Sequence, residues 1–257
     1  PKAKDQVMHN VVTFEVQNAI SGNKDVWVEY ISTKQQNPDQ SNLQRVRASA
    51  VSTDYILDYA KLLKTLKLKP IAMDIHPNAI SKLLANRSIN DSQGQDNNLM
   101  LMDIGCVTTT AYVISDGEIS YTRIMPTGAI DIERYLINQN ANAKPEQQLK
   151  FDQVDLSLDV LRNTPALGDA LRPLVTALTD GVNRIQQFLS GRIQGNRINT
   201  IYIYGRGSTF NGLEETLSQS MNLKVEKINR LSGVKLPGNQ DPAPYLNAMG
   251  ALIRLKG

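Results

Sequence analysis

The sequence predicts an α/β protein with a small α+β module at the front and a larger strand-and-helix domain behind it. Three observations carry this. Residues 99–128 hold three strand-like segments in immediate succession, the last two joined by Asp116-Gly117, a dipeptide that tolerates the positive φ of a tight hairpin turn. Asp169 to Ile193 repeats Leu174, Leu178, Val182, Ile185, Phe188 and Leu189 at helical spacing, and the apolar run Ile198 to Tyr204 follows. Arg87 to Asn98 is polar, nearly without apolar anchors, and reads as a linker between two domains.

Composition bounds the function. With 257 residues and 41% apolar content the chain can bury a real core. No apolar run approaches the roughly 20 residues of a membrane span, and no signal-peptide pattern opens the chain. The single cysteine, Cys106, excludes an internal disulfide framework and fits a reducing compartment. A net charge of +3 without a basic, aromatic-studded stripe argues against nucleic acid. His9 and His76 stand far apart, with no metal-ligand spacing around them.

In the first third, Val11 to Val16 reads as a strand or the end of a helix. Val26 to Ile31 is a strand, rich in β-branched and aromatic residues. Leu43 to Val51 alternates, with Val46, Ala48 and Ala50 on one side and Arg45, Arg47 and Ser49 on the other, the pattern of a half-buried strand. Ser52 or Thr53 caps a helix carrying Ile56, Tyr59, Ala60, Leu63 and Leu66, which Pro70 should stop. Its lysines Lys61, Lys64 and Lys67 read first as a solvated face; contact with an acidic partner or anionic lipid headgroups is the alternative. Ile71 to Ile75 follows as a short strand and Asn78 to Ala85 as a helix behind Pro77.

Further on, Gly128 to Asn138 reads as a helix and Asn138 to Gln148 as an Asn/Gln-rich loop. Leu213 to Met221 is a helix and Lys224 to Ile228 a short strand. A Pro/Gly loop, Leu236 to Pro244, leads to a last helix from Tyr245 to Leu255.

The chemistry concentrates at Asp103-Ile104-Gly105 and the threonines after it. A strand, an acidic-Gly turn and a hydroxyl-bearing strand can wrap amides around a phosphate and hold a carboxylate near its metal ion. Asp103 and Gly105 equally satisfy a plain turn at a strand end. Alternation puts Thr108 and Thr110 on one face, leaving Thr109 as a strand former. Cys106 lacks a histidine placed to activate it and reads as a small turn residue. Gly205, Gly207 and Ser208 can shape a ligand site or merely connect a strand to a helix.

Four segments, in order, resemble the PilM branch of the actin-like ATPases, relatives of FtsA that assemble type IV pili. LKLKPIAMDIHPNAISKLL resembles the strand and helix leaving the family's inserted subdomain. MDIGCVTTTAYVISDGEISYTRIMPTGAIDI resembles its second phosphate loop and following strands. VNRIQQFLSGRIQGNRINTIYIYGRGSTFNGLEETLSQSMNLKVE resembles its long helix, strand and adenosine loop, and PYLNAMGALIR its closing helix. The resemblance implies an actin-like fold of two domains, with the first subdomain incomplete. Residues 1–75 would form the small inserted α+β subdomain, 76–90 a core helix of the first domain and 91–98 the linker. Residues 99–235 would form the second domain, and 236–257 would return to the first.

The same resemblance implies ATP or ADP with Mg²⁺. Asp103 would be the metal residue, and Asp103, Gly105, Cys106, Thr108, Thr109, Lys150, Gly205, Arg206, Gly207 and Ser208 would line the nucleotide. It implies no catalytic set and at most weak ATPase activity. It also implies a place in the cytoplasm at the inner membrane, reached through partners. These are the N-terminal tail of a PilN-like bitopic membrane protein, other pilus assembly proteins and further copies of the chain. Nucleic acid is not among them.

The chain departs from the family pattern at several points. No Asp-x-Gly hairpin precedes residue 99, where the family's clamp has its first half. Arg206 stands where the family has a second glycine, unfavourable if that residue takes positive φ or the backbone must approach the nucleotide. Gln147 stands where an acidic residue is expected, with Glu146 one residue out of register. These departures point to the alternative, a nucleotide-independent actin-like scaffold such as the cytoplasmic domain of a type II secretion L protein. A sugar-kinase-like phosphotransferase would need a catalytic base in the first domain, where none stands out.

Overall fold

The computed structural model describes residues 5–20, 25–33, 44–85, 87–92, 98–141, 143, 144, 146, 148–191 and 197–254. They form two units, one ending at Asp74 and one beginning at Ile75.

The first unit holds α1 (Asp5–Ala19), β1 (Val26–Ser32), β2 (Val46–Ser52) and α2 (Thr53–Thr65). Residues 11–16 are helical: Met8, Val12 and Val16 recur every four residues and bring one stripe of α1 onto the hairpin. The strands are antiparallel, with Val28 opposite Ala50 and Tyr30 opposite Ala48. Val26, Val28 and Tyr30 therefore share a face with Val46, Ala48 and Ala50, and α1 covers it. Trp27 points the other way and is exposed.

Helix α2 ends five residues before Pro70. Lys67 takes φ 57°, the Leu68 amide donates to the Leu63 carbonyl at 2.8 Å and the Lys67 amide to Lys64 at 3.0 Å. This paired closure by a left-handed residue stops the helix before proline can act. Ile71 to Ile75 is not a strand here. Ile71 is 84% exposed, and among the described residues no strand pairs with this segment.

The second unit is built on a five-stranded sheet, order β5-β4-β3-β6-β7. Its strands are β3 (Asn98–Ile104), β4 (Thr109–Ser115), β5 (Glu118–Met125), β6 (Thr200–Tyr204) and β7 (Lys224–Lys227). The first three make antiparallel neighbours, while β6 and β7 run parallel to β3. The β4–β5 turn has Asp116 at φ 53° and Gly117 at φ 77°, the conformation expected of that dipeptide.

Because side chains alternate, each strand feeds two cores. Met100, Met102, Ile104, Ala111, Val113, Ile201 and Ile203 pack against α4 (Ile130–Asn140), α6 (Pro165–Ser190) and α7 (Leu213–Met221). A short α5 (Leu158–Asn163), not anticipated from the sequence, precedes α6. Leu101, Tyr112, Tyr202 and Tyr204 face the other way, onto Ile80 and Leu83 of α3 (His76–Leu84) and Leu246 of α8 (Leu246–Leu252). Helices α3 and α8 pass close: a Cβ on Gly250 would lie 2.1 Å from the Ala79 carbonyl oxygen.

Helices α3 and α8, which the resemblance would place in a first domain, pack here on the sheet of the second unit. The described part of the 87–98 stretch is fastened to the fold. Ile89, its one apolar residue, is 5% exposed and bridges to Leu231. Asn90 donates to the Lys227 carbonyl and accepts from the amides of Asn229 and Arg230, and Asp91 pairs with Arg230 at 2.6 Å.

Candidate functional site

The two central parallel strands end side by side, Asp103 of β3 beside Tyr204 of β6. Their loops leave in different directions, into the β4 hairpin and toward α7, a divergence at the carboxyl ends of parallel strands where open α/β sheets commonly bind ligands.

Asp103 alternates with Met102 and Ile104, so its carboxylate emerges on the α3/α8 side. There Asn247 Nδ2 donates to Oδ2 at 2.7 Å, and His76 Nδ1 lies 3.5 Å from the same oxygen. The carboxylate is 13% exposed. Asp103 raises the His76 pKa by hydrogen bonding, against an opposing effect of burial. Burial, reinforced by the Asp103 charge, also pushes the phenols of Tyr112 and Tyr204 up. Among the described residues Asp103 has no lysine or arginine partner, and no group of three His, Cys, Asp or Glu could hold a metal ion. A cation here would depend on Asp103 and on oxygens of its ligand.

The loop from Gly105 to Thr108 is closed by the Gly105 amide donating to the Thr108 carbonyl at 2.9 Å. The carbonyls of Gly105 and Cys106 accept from the amides of Ala129 and Ile130 at the start of α4. Gly128 makes this approach possible, since a Cβ there would lie 2.4 Å from the Cys106 carbonyl oxygen. The amides of Cys106 and Val107 have no acceptor among the described residues. Thr108 is exposed beside them. Thr109 is fully buried and donates to the Thr127 carbonyl at 2.9 Å, so its hydroxyl cannot serve a ligand.

The β6–α7 loop lies against Asp103 and Ile104. Gly205 has φ 88°, and a Cβ there would meet Asp103 Oδ1 at 2.4 Å; one on Gly207 would meet Ile104 Cγ2 at 2.4 Å. Positive φ is thus needed at 205 and not at 206, so Arg206 carries no backbone penalty. Ser208 is buried and donates to the Gly205 carbonyl at 2.8 Å, which makes it a loop brace and not a ligand group.

Arg206 Nε donates to Glu133 Oε1 at 3.2 Å, and its guanidinium lies 4.4 Å from the Phe151 ring centre. Phe151 in turn packs on buried Phe210. Glu133 Oε2 accepts from Cys106 Sγ at 3.2 Å, which raises the thiol pKa. One carboxylate therefore ties the β3–β4 loop to the β6–α7 loop. Lys150 is exposed at the start of the short turn Phe151–Gln153, with no described contact to Asp103 or Arg206. Gln147 lies outside the described residues, and Glu146 is exposed.

The structure thus gathers Asp103, Gly105, Cys106, Thr108, Gly205, Arg206 and Gly207 at the adjoining ends of β3 and β6. It adds His76, Asn247 and Glu133, which sequence reading did not single out. Asn247 lies 144 residues from Asp103 and Glu133 lies 73 from Arg206, so no local spacing signals either pair.

This sheet, with an acidic-Gly hairpin facing a glycine loop, has the fold of the actin-like class of proteins. Over 97% of this chain and 72% of the other, it superposes on a chain of a solved PilM-PilN type IV pilus biogenesis complex, with a TM-score of 0.71 and 18% identity. The chain belongs to the family of type IV pilus assembly protein PilM, whose sequence model matches residues 2–251. Its role is accordingly in type IV pilus assembly. Two further solved structures match at lower scores. The ethanolamine utilization protein EutJ from Carboxydothermus hydrogenoformans covers 74% of this chain and 60% of its own, with 16% identity and a TM-score of 0.43. MreB5 of Spiroplasma citri bound to ADP covers 78% and 64%, with 15% identity and a TM-score of 0.49. The chain spans less than two thirds of each of these two. No curated protein sequence matches it.

Proposed function

We propose that this chain is a nucleotide-responsive assembly protein of the type IV pilus, working at the cytoplasmic face of the inner membrane and gripping the N-terminal tail of a PilN-like membrane partner. The observation that carries the nucleotide part is the position of Asp103, largely sheltered between the Gly105–Thr108 loop and Gly205 at the ends of two parallel strands. Unused amides at Cys106 and Val107 suit phosphate oxygens, and glycines at 205 and 207 let the β6–α7 loop pack directly on Asp103 and Ile104. Asp103 would hold Mg²⁺, which keeps most of its waters and neutralises phosphate charge. His76 and Asn247 fix the carboxylate. Glycines, amides and one carboxylate suffice to bind; hydrolysis is not required.

The partner reading draws support from the likeness to a chain whose solved structure is a PilM-PilN complex. We assign residues 1–75 to an inserted subdomain that takes part in this contact. A cavity of about 310 Å³ between α1 and β2, lined by Met8, Val11, Val12, Val16, Val46 and Ala48, offers an apolar bed for a short tail. Nucleotide and tail would be coupled, each changing the affinity of the other by the same factor.

Calorimetry tests both parts. Mg-ATP should bind the wild-type chain and not the Asp103→Ala chain, and a PilN-like tail peptide should bind wild type and not Val11→Asp. Val11 is 42% exposed, so that change leaves the core intact. Failure of wild type to bind Mg-ATP, with peptide binding retained, would leave a nucleotide-independent scaffold.

A further inference from the structure

Arg206 has an unusual setting for an exposed arginine. It sits one residue after Gly205, the glycine that abuts Asp103. Its Nε is engaged by Glu133, and its face rests on Phe151, which is backed by Phe210. The side chain is nevertheless 63% exposed, and neither Nη donates to a partner among the described residues. Glu133 is 24% exposed and also holds Cys106, so its position is set from the β3–β4 loop.

A guanidinium held through Nε and stacked on a ring is oriented before any ligand arrives, and four N–H donors remain to be used. That fork matches two oxygens of a phosphate, and its charge offsets Glu133, which would otherwise repel an anion from the loop. We infer that Arg206 is a phosphate-reading residue of this site, a prepositioned cation that binds the polyphosphate of the ligand alongside the Cys106 and Val107 amides. The inference rests on the nucleotide reading above and gives the chain a phosphate contact that a glycine at 206 could not supply. Its expected consequence is selectivity for charge: the site gains affinity for di- and triphosphates and none for the nucleoside.

The experiment is calorimetry on the whole chain with adenosine, Mg-ATP and inorganic tripolyphosphate, using wild type, Arg206→Ala and Arg206→Lys. Arg206→Ala should weaken Mg-ATP and tripolyphosphate by about tenfold or more, the scale of a lost charge-assisted hydrogen bond. Arg206→Lys should recover only part of this, because an ammonium cannot form the fork. Adenosine affinity and melting temperature should be unchanged in both variants. Equal binding of tripolyphosphate by wild type and Arg206→Ala overturns the inference, as does wild type that binds no tripolyphosphate. Tripolyphosphate binding that depends on Arg206 while Mg-ATP fails to bind would overturn the nucleotide reading alone.

Discussion

Asn247 on α8 donates a 2.7 Å hydrogen bond to Asp103 at the tip of β3, and His76 at the start of α3 reaches the same oxygen. Two helices are thereby pinned to the one carboxylate that the proposed ligand needs. The arrangement orients Asp103 before any ligand binds, and it also makes the residue structural.

The first prediction follows from that double duty. Asn247→Ala should cost about 1–2 kcal/mol, because it removes a donor to a sheltered charged acceptor. It should also weaken Mg-ATP by freeing the carboxylate to rotate. Denaturant midpoints and calorimetry on one protein preparation read both effects. Unchanged stability would mean that the bond is not formed in solution.

Gly205→Ala should be poorly tolerated. A residue with a Cβ at φ 88° is strained by about 1–2 kcal/mol, and here the Cβ also meets Asp103 Oδ1 and the Ile104 carbonyl oxygen. Arg206→Gly, one residue later, should shift stability by under about 1 kcal/mol, since an exposed ion pair and ring contact contribute little. Thermal melts of the two variants should separate clearly, and the reverse order would show that the loop is misread.

Gly250→Ala should loosen α8 from α3. The added methyl would sit 2.1 Å from the Ala79 carbonyl oxygen, a backbone atom that moves only with its helix. Overpacking of this kind costs about 1–3 kcal/mol. Hydrogen exchange should accelerate in residues 76–84 and 246–252 while β6 and β7 stay protected.

His76 gives a pH dependence with a definite sign. Its hydrogen bond to Asp103 raises the folded pKa above the ordinary value, so the protonated ring stabilises the folded state. That contribution is fully present below about pH 6.5 and is lost as pH rises through the higher folded value. Two thirds of the side chain is exposed, so solvent screening keeps the effect small. In metal-free protein, proton NMR of His76 should titrate above 6.5, and Asp103→Asn should return it to the ordinary range.

Much of the fold was legible in the sequence because it follows from local rules. The Asp116-Gly117 turn, the apolar face of α6 and the short β6–α7–β7 succession depend on residue type and spacing within a few positions. The misreadings have equally specific causes. Lys67 adopted a left-handed conformation that residue type does not advertise and ended α2 before Pro70. Ile71 to Ile75 has strand composition, but pairing is decided by what lies alongside. Ile89, one apolar residue in a polar run, was enough to fasten that run against Leu231.

The site divides along the same line. The sequence alone determined that Asp103, Gly105 and the Gly205–Ser208 loop would stand at strand ends, since an acidic-Gly turn and a glycine-bearing turn follow apolar runs. Only the tertiary structure decided which of their side chains can meet a ligand. It turned Thr109 and Ser208 into internal hydrogen bonds, brought Asn247 and His76 to Asp103, and set Arg206 on Glu133 and Phe151. The physical reason is that turns and periodicity are short-range properties of the backbone. Side-chain partnership across 73 or 144 residues exists only once the sheet has brought β3 and β6 together.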